Sequence, residues 1–177
     1  MFDAYQKQDM SLWKEYIDRL RLAEDRPAAP EGVQTDLLIE YGLCGYMVDR
    51  EKDKAKPYVE HFKSQITNRK SQLPAGHYEM YMSAVYVFEL RLHESFHPVK
   101  AMSLAKEAVS KAPDDPLTLS YLGTSLFYAP RPFGSKKEAL TLFEKAQTYF
   151  RDPKWQYCWV REANEMYIRL CHDKYHL

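Results

Sequence analysis

Apolar residues recur along this chain at helical spacing. Trp13, Tyr16, Ile17 and Leu20 occupy i, i+3, i+4 and i+7, which puts all four on one face of a helix. The same spacing returns as Ala55, Tyr58, Val59 and Phe62, as Ala101, Leu104, Ala105 and Ala108, and as Ala139, Leu142, Phe143 and Ala146. The copies open at residues 13, 55, 101 and 139, a drifting period inside the range of roughly 20 to 50 residues that marks stacked helical units. Further helical segments fill 35–48, 77–92, 116–127 and 154–175, so each stripe has a partner. The pattern predicts an all-α fold of about nine helices. Ala84-Val85-Tyr86-Val87-Phe88 has strand propensity, but it lies in a helix-length segment without flanking turn residues and reads as buried helix.

Punctuation divides the units. Pro27, Pro30 and Gly32 precede the second, Pro74 and Gly76 the third, and Pro113 and Pro116 the fourth. Asp114 or Asp115 is placed to cap the helix begun near Pro116, where a carboxylate accepts from free backbone N–H groups. The expected organisation is one domain over 1–177, with units at approximately 1–25, 33–72, 75–112 and 115–151 and a capping helix over 154–175. The run Asp49-Arg50-Glu51-Lys52-Asp53-Lys54 reads as a charged, solvated hairpin turn.

Composition narrows the classes. Of 177 residues 45% are hydrophobic and 28% charged, ordinary values that argue against disorder. Lys plus Arg and Asp plus Glu are both 25, so the chain lacks the basic surplus that nucleic-acid binding draws on. Glycine is scarce, with 6, and tyrosine abundant, with 14, which suits helices packed through aromatic side chains. Cys44, Cys158 and Cys171 form no Cys-x-x-Cys pair, and an odd count cannot close into a disulfide framework, so they read as buried thiols. No stretch reaches the roughly 18 apolar residues of a membrane span, and no signal peptide precedes Asp3. The chain reads as soluble, and cytoplasmic by default. Met1-Phe2-Asp3-Ala4-Tyr5 resembles the back half of a helix, which leaves open an upstream segment and, with it, a periplasmic location.

Leu122-Gly123 followed by Ala139, Phe143 and Ala146, and Ala101, Ala105 and Ala108 followed by Pro113, place small and large residues in an order that resembles the tetratricopeptide repeat (TPR) family. The resemblance is good over 97–150, weaker over 35–72 and a trace over 1–23. It implies a right-handed α–α superhelix of stacked hairpins in which small residues let paired helices approach closely. The family period is about 34 residues, and the longer one here reflects longer loops such as Ala129-Pro130-Arg131-Pro132-Phe133-Gly134-Ser135. Its Pro-x-Pro-Phe-Gly core is similar to loops in divergent bacterial repeats of this type, and implies no activity.

Candidate chemistry is sparse. His93-Glu94-Ser95-Phe96-His97 matches the His-Glu-x-x-His pattern of zinc peptidases, in which two histidines one helical turn apart share a metal and the Glu activates its water. Pro98 follows at once and pushes His97 out of helical conformation, so the pair reads instead as surface histidines at a helix end. Glu94 and His97 also make one Glu-x-x-His, but a di-iron bundle needs two such motifs plus two more carboxylates, and no second copy is present. Gly134-Ser135-Lys136-Lys137 lacks the Gly-Lys order of a phosphate loop and reads as a turn and helix start. His172 and His176 beside Cys171 read as helix-end residues. No catalytic set, metal or cofactor is assigned.

Aligning Gly42, Ala84 and Gly123 on the family's small position places Tyr46, Tyr81, Phe88, Thr124, Phe127 and Tyr128 near positions that face its concave surface, so groove lining is what the resemblance implies. The competing reading fills the core with these rings, Phe88 and Phe127 above all. Arg131 would add a carboxylate-binding fork at the groove edge, or lie solvated on its loop. The function expected is a non-enzymatic scaffold holding a protein or peptide in a Tyr-lined groove. The alternative is a small-ligand-binding accessory protein of solute uptake, and a zinc peptidase comes third.

Overall fold

Eight α-helices form among the described residues, which are 7, 9–22, 30–94 and 96–177 of this computed structural model. They are α1 (Ser11–Leu22), α2 (Pro30–Arg50), α3 (Lys52–Asn68), α4 (His77–Arg91), α5 (Pro98–Lys111), α6 (Pro116–Tyr128), α7 (Lys136–Tyr149) and α8 (Trp159–Tyr175), with short 3₁₀ turns at Lys70–Gln72 and Pro153–Trp155. There is no strand among the described residues, so the chain is all-α. The segment Ala84–Phe88 is helical, with Ala84, Val85 and Phe88 buried. The helix-like start at Met1–Tyr5 and the punctuating Pro27 lie outside the described residues.

The chain divides into two compact units, Met1–Ala101 and Met102–Leu177, whose boundary falls inside α5. In the first, Glu51 alone separates α2 from α3, and the two pack as a hairpin. Helix α1 packs on α2, and α4 packs on both α2 and α3. The apolar stripes supply the core: Trp13 and Ile17 from α1, Ala55, Tyr58, Val59 and Phe62 from α3, and Met80, Tyr81 and Val85 from α4 are buried. Burying a large apolar side chain contributes about 1.5 to 3 kcal/mol, so these stripes rather than helix propensity hold the unit together. In the second unit α6 and α7 form the hairpin and α8 packs against both. Ala139, Phe143 and Ala146 of α7 and Leu122, Gly123 and Leu126 of α6 are buried in its interior, where Phe143 lies against Gly123.

Helix ends follow local chemistry. Of the two candidate caps, Asp115 is the one used: its side chain accepts from the Thr118 N–H at 2.9 Å. Asp114 points elsewhere and accepts from the Tyr149 hydroxyl at 2.7 Å. Helix α4 closes with His93 in the left-handed region, φ 62°, while His93 N–H donates to Leu90 O and Glu94 N–H to Glu89 O, the two-bond ending known as a Schellman motif.

One expected break is helical instead, and the expected charged hairpin turn is present but only one residue long. Pro30 and Gly32 belong to the first turn of α2, where proline's missing N–H costs nothing. The charged run 49–54 is the end of α2 and the start of α3, with Glu51 as the whole connection. Asp49 in that run pairs with Arg91 of α4.

Candidate functional site

The α6–α7 connection is a closed loop rather than an open linker. Ser135 N–H donates back to Leu126 O at 3.1 Å and so pins the base of the loop. Inside it, Phe133 N–H and Gly134 N–H both donate to Pro130 O at 3.0 Å. Gly134 is fixed by space: a Cβ there would lie 2.0 Å from Ala129 O and 2.8 Å from Leu126 O, both unyielding backbone atoms. Ser135 then caps α7 by accepting from Glu138 N–H at 3.2 Å. Gly134-Ser135 thus builds a turn and a helix start, as the sequence reading has it.

The loop follows directly on two residues of an aromatic cluster, Phe127 and Tyr128. Phe127 is buried, and its ring meets Tyr128 edge-on at 5.1 Å, Tyr175 edge-on at 5.6 Å and Tyr167 at 5.4 Å. Tyr167 also stacks on Phe143 at 5.1 Å with the rings 6° from parallel. The Tyr167 hydroxyl reaches the Tyr128 hydroxyl at 3.3 Å. Tyr128 is nevertheless 67% exposed and Phe133 61%, so two rings are offered to solvent on a pinned backbone. The Lys136 ammonium lies over the Tyr175 ring at 4.7 Å and the Phe127 ring at 5.2 Å, a cation–π arrangement. Burial pushes the nearby Cys171 thiol up, against the lowering pull of the Lys136 charge.

The other sequence-predicted residues are distributed differently. Tyr81 and Phe88 are buried and unavailable to a groove. Tyr81 packs edge-on to Phe62 at 5.6 Å and to Tyr41 at 6.2 Å, and Phe88 meets Tyr41 at 6.1 Å. The correction has a simple cause: α4 contacts both α2 and α3, so its residues at these positions have helices on more than one side. Phe127 is core as well, which the competing reading anticipated. Thr124 donates its hydroxyl to Ser120 O one turn back at 3.0 Å. Arg131 is exposed on the loop. Tyr46 lies half-buried in the first unit, beside a cleft of about 230 Å³ lined also by Met10, Lys14, Leu43, Met47 and Glu51.

The histidine motif does not form a helical pair. Helix α4 ends at Arg91, His93 takes the left-handed turn, and His97 precedes α5, edge-on to the Tyr86 ring at 5.9 Å. Glu94 is ion-paired with Lys56 at 2.8 Å. Ser95 lies outside the described residues. Among the described residues no group of three or more His, Cys, Asp and Glu is arranged to hold a metal.

A partly buried polar cluster in the first unit escaped the sequence reading. Tyr16 of α1 donates to Asp36 of α2, while Tyr58 of α3 donates to Asp18 of α1 at 2.9 Å. Next to them Glu40 of α2, only 2% exposed, contacts His61 Nδ1 of α3. Burial pushes the Glu40 carboxyl up, and the His61 contact opposes that shift. Burial, with the Glu40 charge adding to it, pushes the Cys44 thiol well up, so it is a poor nucleophile. The available signal was an acidic pair, Asp36 and Glu40, at i and i+4 within an apolar helix. Tyr167 and Tyr175 were likewise missed, although Val160, Asn164, Tyr167, Cys171 and Tyr175 form a stripe along α8.

A scan against protein-family models matches none to this chain, and searches of curated proteins and of solved structures likewise find no match. No helix among the described residues is long and apolar enough to cross a membrane.

Proposed function

We propose that this protein is a non-enzymatic scaffold, built from TPR-like helical hairpins, that holds a protein or peptide segment at the aromatic face around Tyr128. Exposure carries the reading: Tyr128 is 67% exposed although its ring touches Phe127 and Tyr167. An aromatic fixed in place yet open to solvent loses little conformational entropy when a partner covers it, which is why Tyr is enriched at binding hot spots. The arrangement in which a third helix packs on both members of a hairpin, seen with α4 on α2 and α3 and with α8 on α6 and α7, supports the repeat reading. The small-ligand alternative rests on the cleft beside Tyr46, whose volume of about 230 Å³ falls below the roughly 300 to 1,000 Å³ of most ligand pockets.

The test is a pull-down with mass spectrometry comparing wild type with Tyr128→Ser, Phe133→Ser, both checked for equal melting temperature. A specific protein retained by wild type and lost by the variant supports the scaffold. Equal retention moves the interface away from this face.

A further inference from the structure

We infer that the partner segment is acidic, its carboxylates meeting Arg131 and Lys136 while an apolar or aromatic side chain covers Tyr128 and Phe133; this rests on the scaffold reading above. From Pro116 to Lys137 the chain carries Arg131, Lys136 and Lys137 and no Asp or Glu. Some basic residues elsewhere in the second unit lie beside carboxylates, Lys145 3.3 Å from Asp114, Arg161 3.3 Å from Glu165 and Lys154 3.6 Å from Asp152, while others such as Lys106 and Arg169 do not among the described residues. Arg131 and Lys136 have no carboxylate partner among the described residues. The Lys136 ammonium instead rests on the Tyr175 and Phe127 rings, which orients the cation without neutralising it. The pinned loop holds Arg131 and Phe133 only a few residues from Tyr128, so cations without a carboxylate and exposed rings are grouped on one short stretch of chain. Charge complementarity then selects an anionic occupant, and the exposed rings favour a peptide with apolar side chains over a bare anion. A basic segment would be repelled. A nucleic acid is disfavoured by the zero formal charge of the whole chain.

Fluorescence anisotropy with a labelled glutamate–tyrosine copolymer tests this, against a lysine–tyrosine copolymer and a single-stranded oligouridylate of similar length. The glutamate–tyrosine copolymer is expected to bind, to weaken as salt rises from about 0.05 to about 0.3 M, and to lose about tenfold or more in affinity on Arg131→Glu, Lys136→Glu. If charge reversal shifts the melting temperature, Arg131→Gln, Lys136→Gln replaces it, with the same direction expected. Tyr128→Ser should weaken the same probe. Equal binding of both copolymers, lost on Tyr128→Ser but not on charge reversal, overturns the acidic preference and leaves the scaffold reading intact. Oligouridylate binding as tightly as the glutamate–tyrosine copolymer overturns the choice of a peptide. No response of any probe to either substitution overturns both readings at this face.

Discussion

A methyl group on Gly123 would stand 2.6 Å from Cε1 and 2.8 Å from Cδ1 of Phe143. No Cβ occupies such a distance from a ring carbon, so α6 and α7 approach as closely as they do because residue 123 has no side chain. Phe143 cannot easily retreat, being fully buried and stacked on Tyr167.

Gly123→Ala separates two physical effects by sign. Helix propensity alone favours alanine in a helix interior by about 1 kcal/mol. The clash should outweigh that gain, giving a net loss of about 1 to 3 kcal/mol in urea unfolding. Phe143→Leu in the same chain should recover part of the loss. A more stable Gly123→Ala variant would show that the ring moves freely.

Gly134→Ala should open the α6–α7 loop, since its Cβ would meet the Ala129 and Leu126 carbonyl oxygens. Both are backbone atoms, and the expected cost is about 2 kcal/mol or more. Limited proteolysis should show faster cleavage between Ala129 and Ser135 than in wild type, together with weaker binding at Tyr128.

Removing His61 should cost more than removing the charge it faces. His61→Ala leaves the Glu40 carboxylate buried without its partner, a loss of about 3 to 5 kcal/mol by analogy with broken buried pairs. Glu40→Gln keeps the shape and removes the ion, and should change stability by about 1 kcal/mol or less. Parallel denaturant titrations of the two variants distinguish this from a purely steric role for His61.

The latch between Tyr16 and Asp36 predicts an alkaline weakness. Burial first, and then the hydrogen bond to Asp36, push the Tyr16 phenol up to about 12, against about 10 in an unfolded chain. The folded state therefore favours the neutral phenol. Its contribution is complete below about pH 10 and lost as pH rises towards about 12. Melting temperature should fall more steeply across that window in wild type than in Tyr16→Phe. At the acid end the reciprocal bond behaves oppositely. Burial raises the Asp18 carboxyl, but hydrogen bonds from Lys14 and Tyr58 and the charges of Lys14 and Arg21 together hold it below its usual value. Its contribution is present above about pH 3.9 and lost as pH falls through the lower folded value, a decline that Asp18→Asn should flatten.

Local sequence by itself determined the all-α class and the stripes at Trp13, Ala55, Ala101 and Ala139 through helical periodicity, the turn at His97 through Pro98, and the choice of caps down to two adjacent aspartates. These are local properties: a 3.6-residue repeat, a proline's excluded conformations and a carboxylate within reach of the next turn all act over a few residues. Tertiary structure decided which tyrosines face water. Tyr81 and Tyr128 both lie on apolar-rich helices, yet the first is enclosed because α4 packs on two neighbours, while the second lies at the end of α6 where the pinned loop turns away. The Glu40–His61 contact and the Tyr16–Asp36 and Tyr58–Asp18 bonds join residues 20 to 40 positions apart, and no pattern along one helix encodes such a separation. Burial and pairing depend on what arrives from other helices, so they exist only once the chain has folded.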